Sequence, residues 1–427
     1  MRRLSLREAR QLFRRRSWKF FQNPETSKIV SEIIAAVRER GDEALLSYTG
    51  RFDHIALAPG TMRVRDEEFE SARARVENTP LGAALRHAYA RIYNFHHAQL
   101  EKTWLTHTPG CILGQLVTAL DSCGLYVPGG KASYPSTVLM NAIPALIAGV
   151  PRRVICSPAG QISDAVLYAA LLCGIREFWK VGGAQAIAAL AFGTESIEPV
   201  AKITGPGNKF VTEAKRQVYG MVSIDMLAGP SEIMIYADET SDPRYIARDL
   251  LSQAEHDEDA SSILISSSPE LLDRVDVYLA VHIAGAERKD IIENSISKNA
   301  YALYVHDKAE AWEIINLFAP EHLEVLASCS LEEVLGAVQN AGAIFFGHYS
   351  PEPLGDYIAG PNHTLPTLGC ARFASPLGVY DFIKRSSVIS AGRSFCRELI
   401  PDAALIARNE GLCAHEASLR VRESGEG

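Results

Sequence analysis

The chain has 427 residues, enough for two or three domains with cores of their own. Its composition, 47% hydrophobic and 22% charged, excludes the disordered and fibrous classes. A net charge of −8 argues against a general nucleic-acid or membrane-surface binder, since long-range attraction to polyanions would be missing.

The N-terminal run Met1-Arg2-Arg3-Leu4-Ser5-Leu6-Arg7 has no apolar core of a secretory signal, and no apolar stretch approaches the roughly 20 residues of a spanning helix. The expectation is a soluble, cytoplasmic protein with no nucleic-acid and no membrane partner. Eight cysteines are scattered without a Cys-x-x-Cys pair, the usage of buried reduced thiols and not of a disulfide framework or a Cys-type zinc site.

Residues 1 to about 23 read as a basic helix or arm, with Arg14-Arg15-Arg16 on a solvated face. A helical pattern (Ile29, Ile33, Ile34, Val37) runs from Lys28 to Gly41. A long polar–apolar helix covers roughly 79–104, and its His87, His96 and His97 read as surface residues without a role. From Cys123 the texture changes. Strands at 124–127, 153–156, 178–181, 201–204 and 222–225 alternate with helices at 136–150, 164–173, 184–192 and 208–218. The alternation restarts with strands at 233–236, 262–265, 301–305, 323–326 and 343–347. Two successive α/β halves of five strands predict two Rossmann-like parallel-sheet domains, an arrangement consistent with duplication, with a cleft between them. Sheets of this kind hold ligands at the carboxyl ends of their strands. A Gly- and Pro-rich loop region follows to about 376, and the remaining helical C-terminal segment is too short for a core of its own and must dock on something, a second subunit being one option.

No G-x-G-x-x-G follows a strand, so a dinucleotide site cannot be assigned from that motif. Three glycine turns, at Val127-Pro128-Gly129-Gly130, Gly182-Gly183-Ala184-Gln185 and Gly205-Pro206-Gly207-Asn208, put backbone N–H groups near helix starts, where a pyrophosphate can sit. Each is also an ordinary tight βα turn. In the second half, Asp242-Pro243 starts a helix whose apolar stripe (Ile246, Leu250) ends in Gln253, with His256 one turn later. By itself this is a fraying helix end with a satisfied histidine. Further acid–base candidates are Glu321-His322, then Asp356 and His363 on a glycine-hinged loop, and Glu410 and His415 near the C-terminus. Imidazole, carboxylate and amide oxygen together suit Zn²⁺, but spacing cannot show that these segments meet.

In combination the motifs are more specific. Gly124-Leu125-Tyr126-Val127-Pro128-Gly129-Gly130, Tyr134-Pro135-Ser136-Thr137-Val138-Leu139-Met140, Val181-Gly182-Gly183-Ala184-Gln185 and Gly205-Pro206-Gly207-Asn208 resemble the histidinol dehydrogenase family. So do Ala228-Gly229-Pro230-Ser231-Glu232, Gln253-Ala254-Glu255-His256-Asp257, Pro320-Glu321-His322-Leu323 and Gly360-Pro361-Asn362-His363-Thr364-Leu365-Pro366-Thr367. The likeness runs in order from about residue 28 to about 421.

The resemblance implies a zinc-dependent, NAD-linked oxidation of L-histidinol through L-histidinaldehyde to L-histidine, the last step of histidine biosynthesis, with two NAD per turnover. It implies one zinc per subunit, bound by Gln253, His256, Asp356 and His415, the last from the partner chain of an intertwined homodimer with shared active sites. His322 then resembles the base for the alcohol proton and Glu321 the base for water. Ser231, His363 and Glu410 match substrate contacts, beside the metal-site residues Gln253, His256, Asp356 and His415 and the base His322. Tyr126, Gln185 and Asn208 match NAD contacts. The implied division is an N-terminal helical arm (1–23), a zinc and catalytic Rossmann-like domain (24–122 with 233–377), an NAD-binding Rossmann-like domain (123–232) and a C-terminal helical extension (378–427) docking on the partner subunit. The loop after Cys156 is shorter than the family pattern, and the N-terminal arm matches poorly. A related zinc/NAD dehydrogenase of another small polyol or amino alcohol is the alternative. From other classes, a small-molecule binding protein lacks a reason for so many acid–base groups, and a zinc hydrolase lacks its usual motifs.

Overall fold

A computed structural model describes residues 1–14, 23–129 and 134–424. Arg15, Arg16 and the rest of the arm to residue 22, together with Gly130, lie outside the described residues. The chain divides into two compact units, Met1–Gln99 with Leu120–Phe382, and Leu100–Ala119 with Ile383–Gly427. Among the described residues no helix is long and apolar enough to cross a membrane.

In chain order the strands begin with β1 (Arg2–Leu4), β2 (Trp104–Thr108) and β3 (Cys111–Ala119). The first α/β half supplies β4 (Ser122–Tyr126), β5 (Arg152–Cys156), β6 (Glu177–Trp179), β7 (Lys202–Thr204) and β8 (Ser223–Ile224). The second supplies β9 (Glu232–Ala237), β10 (Ser261–Ser266), β11 (Ala300–Tyr304), β12 (His322–Val325) and β13 (Ala343–Phe346), and β14 (Ile383–Ala391) follows. Six helices carry the argument below: α1 (Pro80–His97), α2 (Pro135–Ala148), α3 (Gly183–Phe192), α4 (Lys209–Val218), α5 (Pro243–Ala254) and α6 (Glu352–Tyr357).

The first unit holds two wholly parallel sheets, ordered β6-β5-β4-β7-β8 and β1-β11-β10-β9-β12-β13. Counted within each half, both follow the order 3-2-1-4-5, and the second gains β1 at its outer edge. Alternation along the central strands explains why both faces are covered. Cys123 and Leu125 of β4 enter one apolar layer with Val138 and Leu139 of α2, while Tyr126 enters the other with Ile187 of α3. In β9, Met234 and Tyr236 pack away from Ile233 and Ile235, and the latter pair meets Ile246 and Leu250 of α5.

Three expectations need correction. The segment expected as a helical arm opens with a strand, β1, whose Leu4 is buried beside the β11 residue Leu303. The long helix ends at His97, not near 104, because Thr103, Trp104, Thr106 and Thr108 favour extended chain and form β2 and its approach. The region 378–427 is not wholly helical. The second unit contains a three-stranded antiparallel sheet, β14-β3-β2, and two helices, Arg393–Asn409 and Cys413–Ser424.

Candidate active site

A cavity of about 630 Å³ in the first unit is met by opposite ends of the two sheets. Pro128, Pro206 and Gly207 follow the carboxyl ends of β4 and β7, whereas Ser231, Glu321 and His322 stand at the amino ends of β9 and β12. Gln253, His256, Glu352, Asp356 and His363 complete the lining used here. The carboxyl-end expectation thus holds for the first sheet and fails for the second. A helix that follows a parallel strand runs back along it, so the last turn of α5 delivers Gln253 to the amino edge.

The acid–base pair is fixed by the backbone of one residue, Glu232. The Glu232 N–H donates to Glu321 Oε2 at 2.8 Å, and the Glu232 carbonyl faces His322 Nδ1 at 3.0 Å. A carbonyl can only accept, so Nδ1 carries the proton and neutral His322 presents its lone pair at Nε2. That atom is buried without a hydrogen-bond partner, 3.8 Å from both Glu352 Oε1 and Asp356 Oδ1. Burial pushes the His322 pKa down, which keeps the ring neutral. Glu321 moves the other way: burial, then the charges of Glu232, Asp356 and Glu352, hold its carboxyl well above the usual range.

Beside this pair, one ligand atom each from His256, Glu352 and Asp356 lies within 4.8 Å of the others. Gln253 is fully buried, and neither amide atom has a partner. An orphaned amide of this kind costs about 1–3 kcal/mol unless something ligates it. The donor set of amide oxygen, imidazole and carboxylate fits Zn²⁺. Glu352 was not singled out from the sequence, although its spacing of four from Asp356, one helical turn, was the available signal. Burial and then the neighbouring Asp356 carboxylate push the Glu352 carboxyl up to about 10. His363 also lines the cavity with an unpartnered, buried Nε2, and burial lowers its pKa. His415 and Glu410 belong to the second unit, on the helix Cys413–Ser424 and at the C-cap of Arg393–Asn409, and both are exposed.

The glycine turns of the first sheet have a different character. The Tyr126 hydroxyl accepts the Gly183 N–H at 3.0 Å, and Asn208 caps α4 by accepting from Phe210 and Val211. Gln185, in the first turn of α3, is buried with both amide atoms unpartnered. Gly205 has φ +110°, and a Cβ there would stand 2.1 Å from the Tyr126 carbonyl oxygen. Its turn is braced by a buried ion pair, Lys215 with Asp225: Lys215 donates to the Gly205 carbonyl at 3.0 Å and Asp225 accepts the Gly205 N–H at 2.8 Å.

Two expectations about lone residues change. His96 is buried and hydrogen-bonded, whereas His87 and His97 are exposed as expected. The cysteines are free, but only four are buried, and Cys413 is exposed.

A sequence profile of the family described as histidinol dehydrogenase matches residues 17–423. The chain is similar to the histidinol dehydrogenase of Bacillus subtilis (strain 168), 50% identical over 403 residues, covering 93% of each chain. It is similar to that of Hydrogenovibrio crunogenus, 47% identical over 413 residues, covering 95% of this chain and 94% of the relative. Among solved structures, the crystal structure of histidinol dehydrogenase from Elizabethkingia anophelis superposes with a TM-score of 0.93 at 35% identity, covering 99% of this chain and 98% of that one.

Proposed function

Because the chain belongs to the histidinol dehydrogenase family, we propose that it oxidises L-histidinol through the aldehyde to L-histidine, with two hydrides passing in turn to two NAD⁺. It is an NAD-dependent oxidoreductase, and the family reaction is the last step of histidine biosynthesis. The observation that carries the finer reading is the Glu232 backbone, whose N–H and carbonyl hold a carboxyl of raised pKa and a neutral imidazole side by side in the cavity.

His322 takes the alcohol proton at Nε2 as the first hydride leaves. Glu321, a stronger base for being buried, takes a proton from the water that attacks the aldehyde. Ser231, His363 and Glu410 of the partner subunit hold the substrate. Gln253, His256, Asp356 and His415 of the partner subunit would hold one zinc per subunit, which would supply Lewis-acid anchoring of the substrate. NAD⁺ is the hydride acceptor, held at the glycine turns with Tyr126, Gln185 and Asn208.

The same reading makes the two sheets Rossmann-like halves, with 123–232 as the NAD-binding one, and the protein a cytoplasmic homodimer with shared sites. Ile389, Leu405, Ile406 and Val421 of the second unit, each more than half exposed, are side chains that a second copy would cover. Zinc-loaded enzyme given histidinol should form two NADH per histidine. One NADH per substrate, or turnover only with a different alcohol, overturns the histidinol reading.

A further inference from the structure

The loop that carries His363 is fastened by its neighbour. Asn362 is buried and is not part of the lining of the active-site cavity. Its amide nitrogen donates to the Met140 carbonyl in α2 at 2.6 Å and faces His96 Nε2 of α1 at 3.3 Å. Its amide oxygen accepts the Thr364 N–H at 2.9 Å. These contacts settle the amide orientation, because a flipped side chain would set two oxygens against each other at Met140 and two nitrogens at Thr364.

The Met140 carbonyl is available for a reason written in the sequence. In a helix it would accept the N–H of residue 144, but residue 144 is Pro144, inside α2. A buried carbonyl without its helical donor requires another partner, and Asn362 is the one present. His96 is matched to the same geometry. With the Asn362 amide donating to Nε2, the ring proton must sit on Nδ1, and Nδ1 lies 2.8 Å from the Ile92 carbonyl. Burial lowers the His96 pKa and favours that neutral ring.

We infer that Asn362, docked between the proline-vacated carbonyl of Met140 and the imidazole of His96, is a positioning residue that holds the His363 imidazole toward the substrate. The same latch joins the His363 loop to α2, whose first residues Pro135, Ser136 and Thr137 line the cavity. The kinetic part of this inference rests on the substrate reading proposed above.

The test compares Asn362→Ala, His96→Leu and His96→Gln holoenzymes by KM for histidinol, KM for NAD⁺ and kcat, together with hydrogen exchange of the segment containing the Thr364 amide. Loss of one or two hydrogen bonds to a neutral group should raise KM for histidinol by about threefold to tenfold in Asn362→Ala, with KM for NAD⁺ unchanged. His96→Leu should give a smaller rise, and His96→Gln, which keeps an acceptor near the Nε2 position, should recover most of it. Exchange at Thr364 should speed up in Asn362→Ala. Unchanged kinetics, a parallel loss in both KM values and kcat, or His96→Gln as impaired as His96→Leu overturns the inference. If Asn362→Ala does not fold, the two His96 variants decide. Exchange needs no turnover, so wild-type enzyme that leaves histidinol untouched overturns the substrate reading alone, and unaltered Thr364 exchange in Asn362→Ala overturns the latch alone.

Discussion

The two parallel sheets of the first unit share one strand order and use opposite ends of it. At the carboxyl ends of β4, β6 and β7, short turns offer backbone N–H groups and few titratable side chains, and the buried charges nearby, Lys215 and Asp225, neutralise each other. At the amino ends of β9 and β12, the chain crowds Glu321, His322, His256, Glu352 and Asp356 into one cavity, and several of their pKa values are displaced by burial. Backbone donors suit a large anionic cofactor. Displaced pKa values suit proton transfer at neutral pH. The common order supplies the scaffold, and the end that is furnished with side chains determines the chemistry.

The largest effect expected is therefore on the second sheet. His322→Asn should lower kcat by about 10²–10⁴-fold with the fold intact, as for loss of a positioned general base. Glu321→Gln should slow oxidation of supplied aldehyde more than it slows the alcohol step, and equal loss on both would remove the separate roles. On the first sheet the comparable change is Lys215→Met, which strands Asp225. Breaking a buried pair from one side costs about 3–5 kcal/mol, so the denaturant midpoint should fall. KM for NAD⁺ should rise more than KM for histidinol, and the reverse order would mean that the Gly205 turn is not the cofactor side of the cavity.

A smaller change separates ligation from folding. Gln253→Leu replaces an orphaned amide by an apolar side chain. Zinc affinity, read by chelator competition, should drop at least about tenfold. The thermal midpoint of chelated protein should rise, because a buried unsatisfied amide worth about 1–3 kcal/mol is gone. Undiminished zinc binding would take Gln253 out of the ligand set.

Much of this contrast was legible in the sequence, and the failures have physical causes. The strands of both halves follow from apolar runs between turn residues, and Gln253, His256, Glu321 and His322 stood out because polar groups closed apolar stretches. That the second site sits at the amino edge was not legible, since periodicity gives a strand's faces and not which end meets the cavity. β14 was missed because it buries no alternating face: most of its side chains are exposed within this chain. His96 was read as a surface residue because Asn362, which meets its Nε2, is remote in sequence, and a proline in mid-helix gives no hint of what will take the carbonyl it frees.

The finest test of the contrast is pH. Asp249 of α5 is hydrogen-bonded to Glu324 of β12, whose carboxyl also accepts the Glu352 N–H at 2.7 Å. Burial pushes Asp249 up to about 6 and holds Glu324 well above the usual carboxylate range. A carboxyl raised on folding contributes stability that is fully present below its unfolded pKa, near 3.8 for Asp249, and lost as pH climbs through about 6. Asn at this position cannot ionise. With metal chelated, Asp249→Asn should match wild type near pH 4 and exceed it by a few degrees in thermal midpoint above pH 7, an effect of about 1–2 kcal/mol for a partly exposed group. On the first sheet Asp225→Asn breaks the buried ion pair with Lys215 from one side, so that variant should lose stability over the same range. If both variants moved in the same direction above pH 7, the second sheet would not be the half that stores unpaired acid, and the division between the two ends would have to rest on geometry alone.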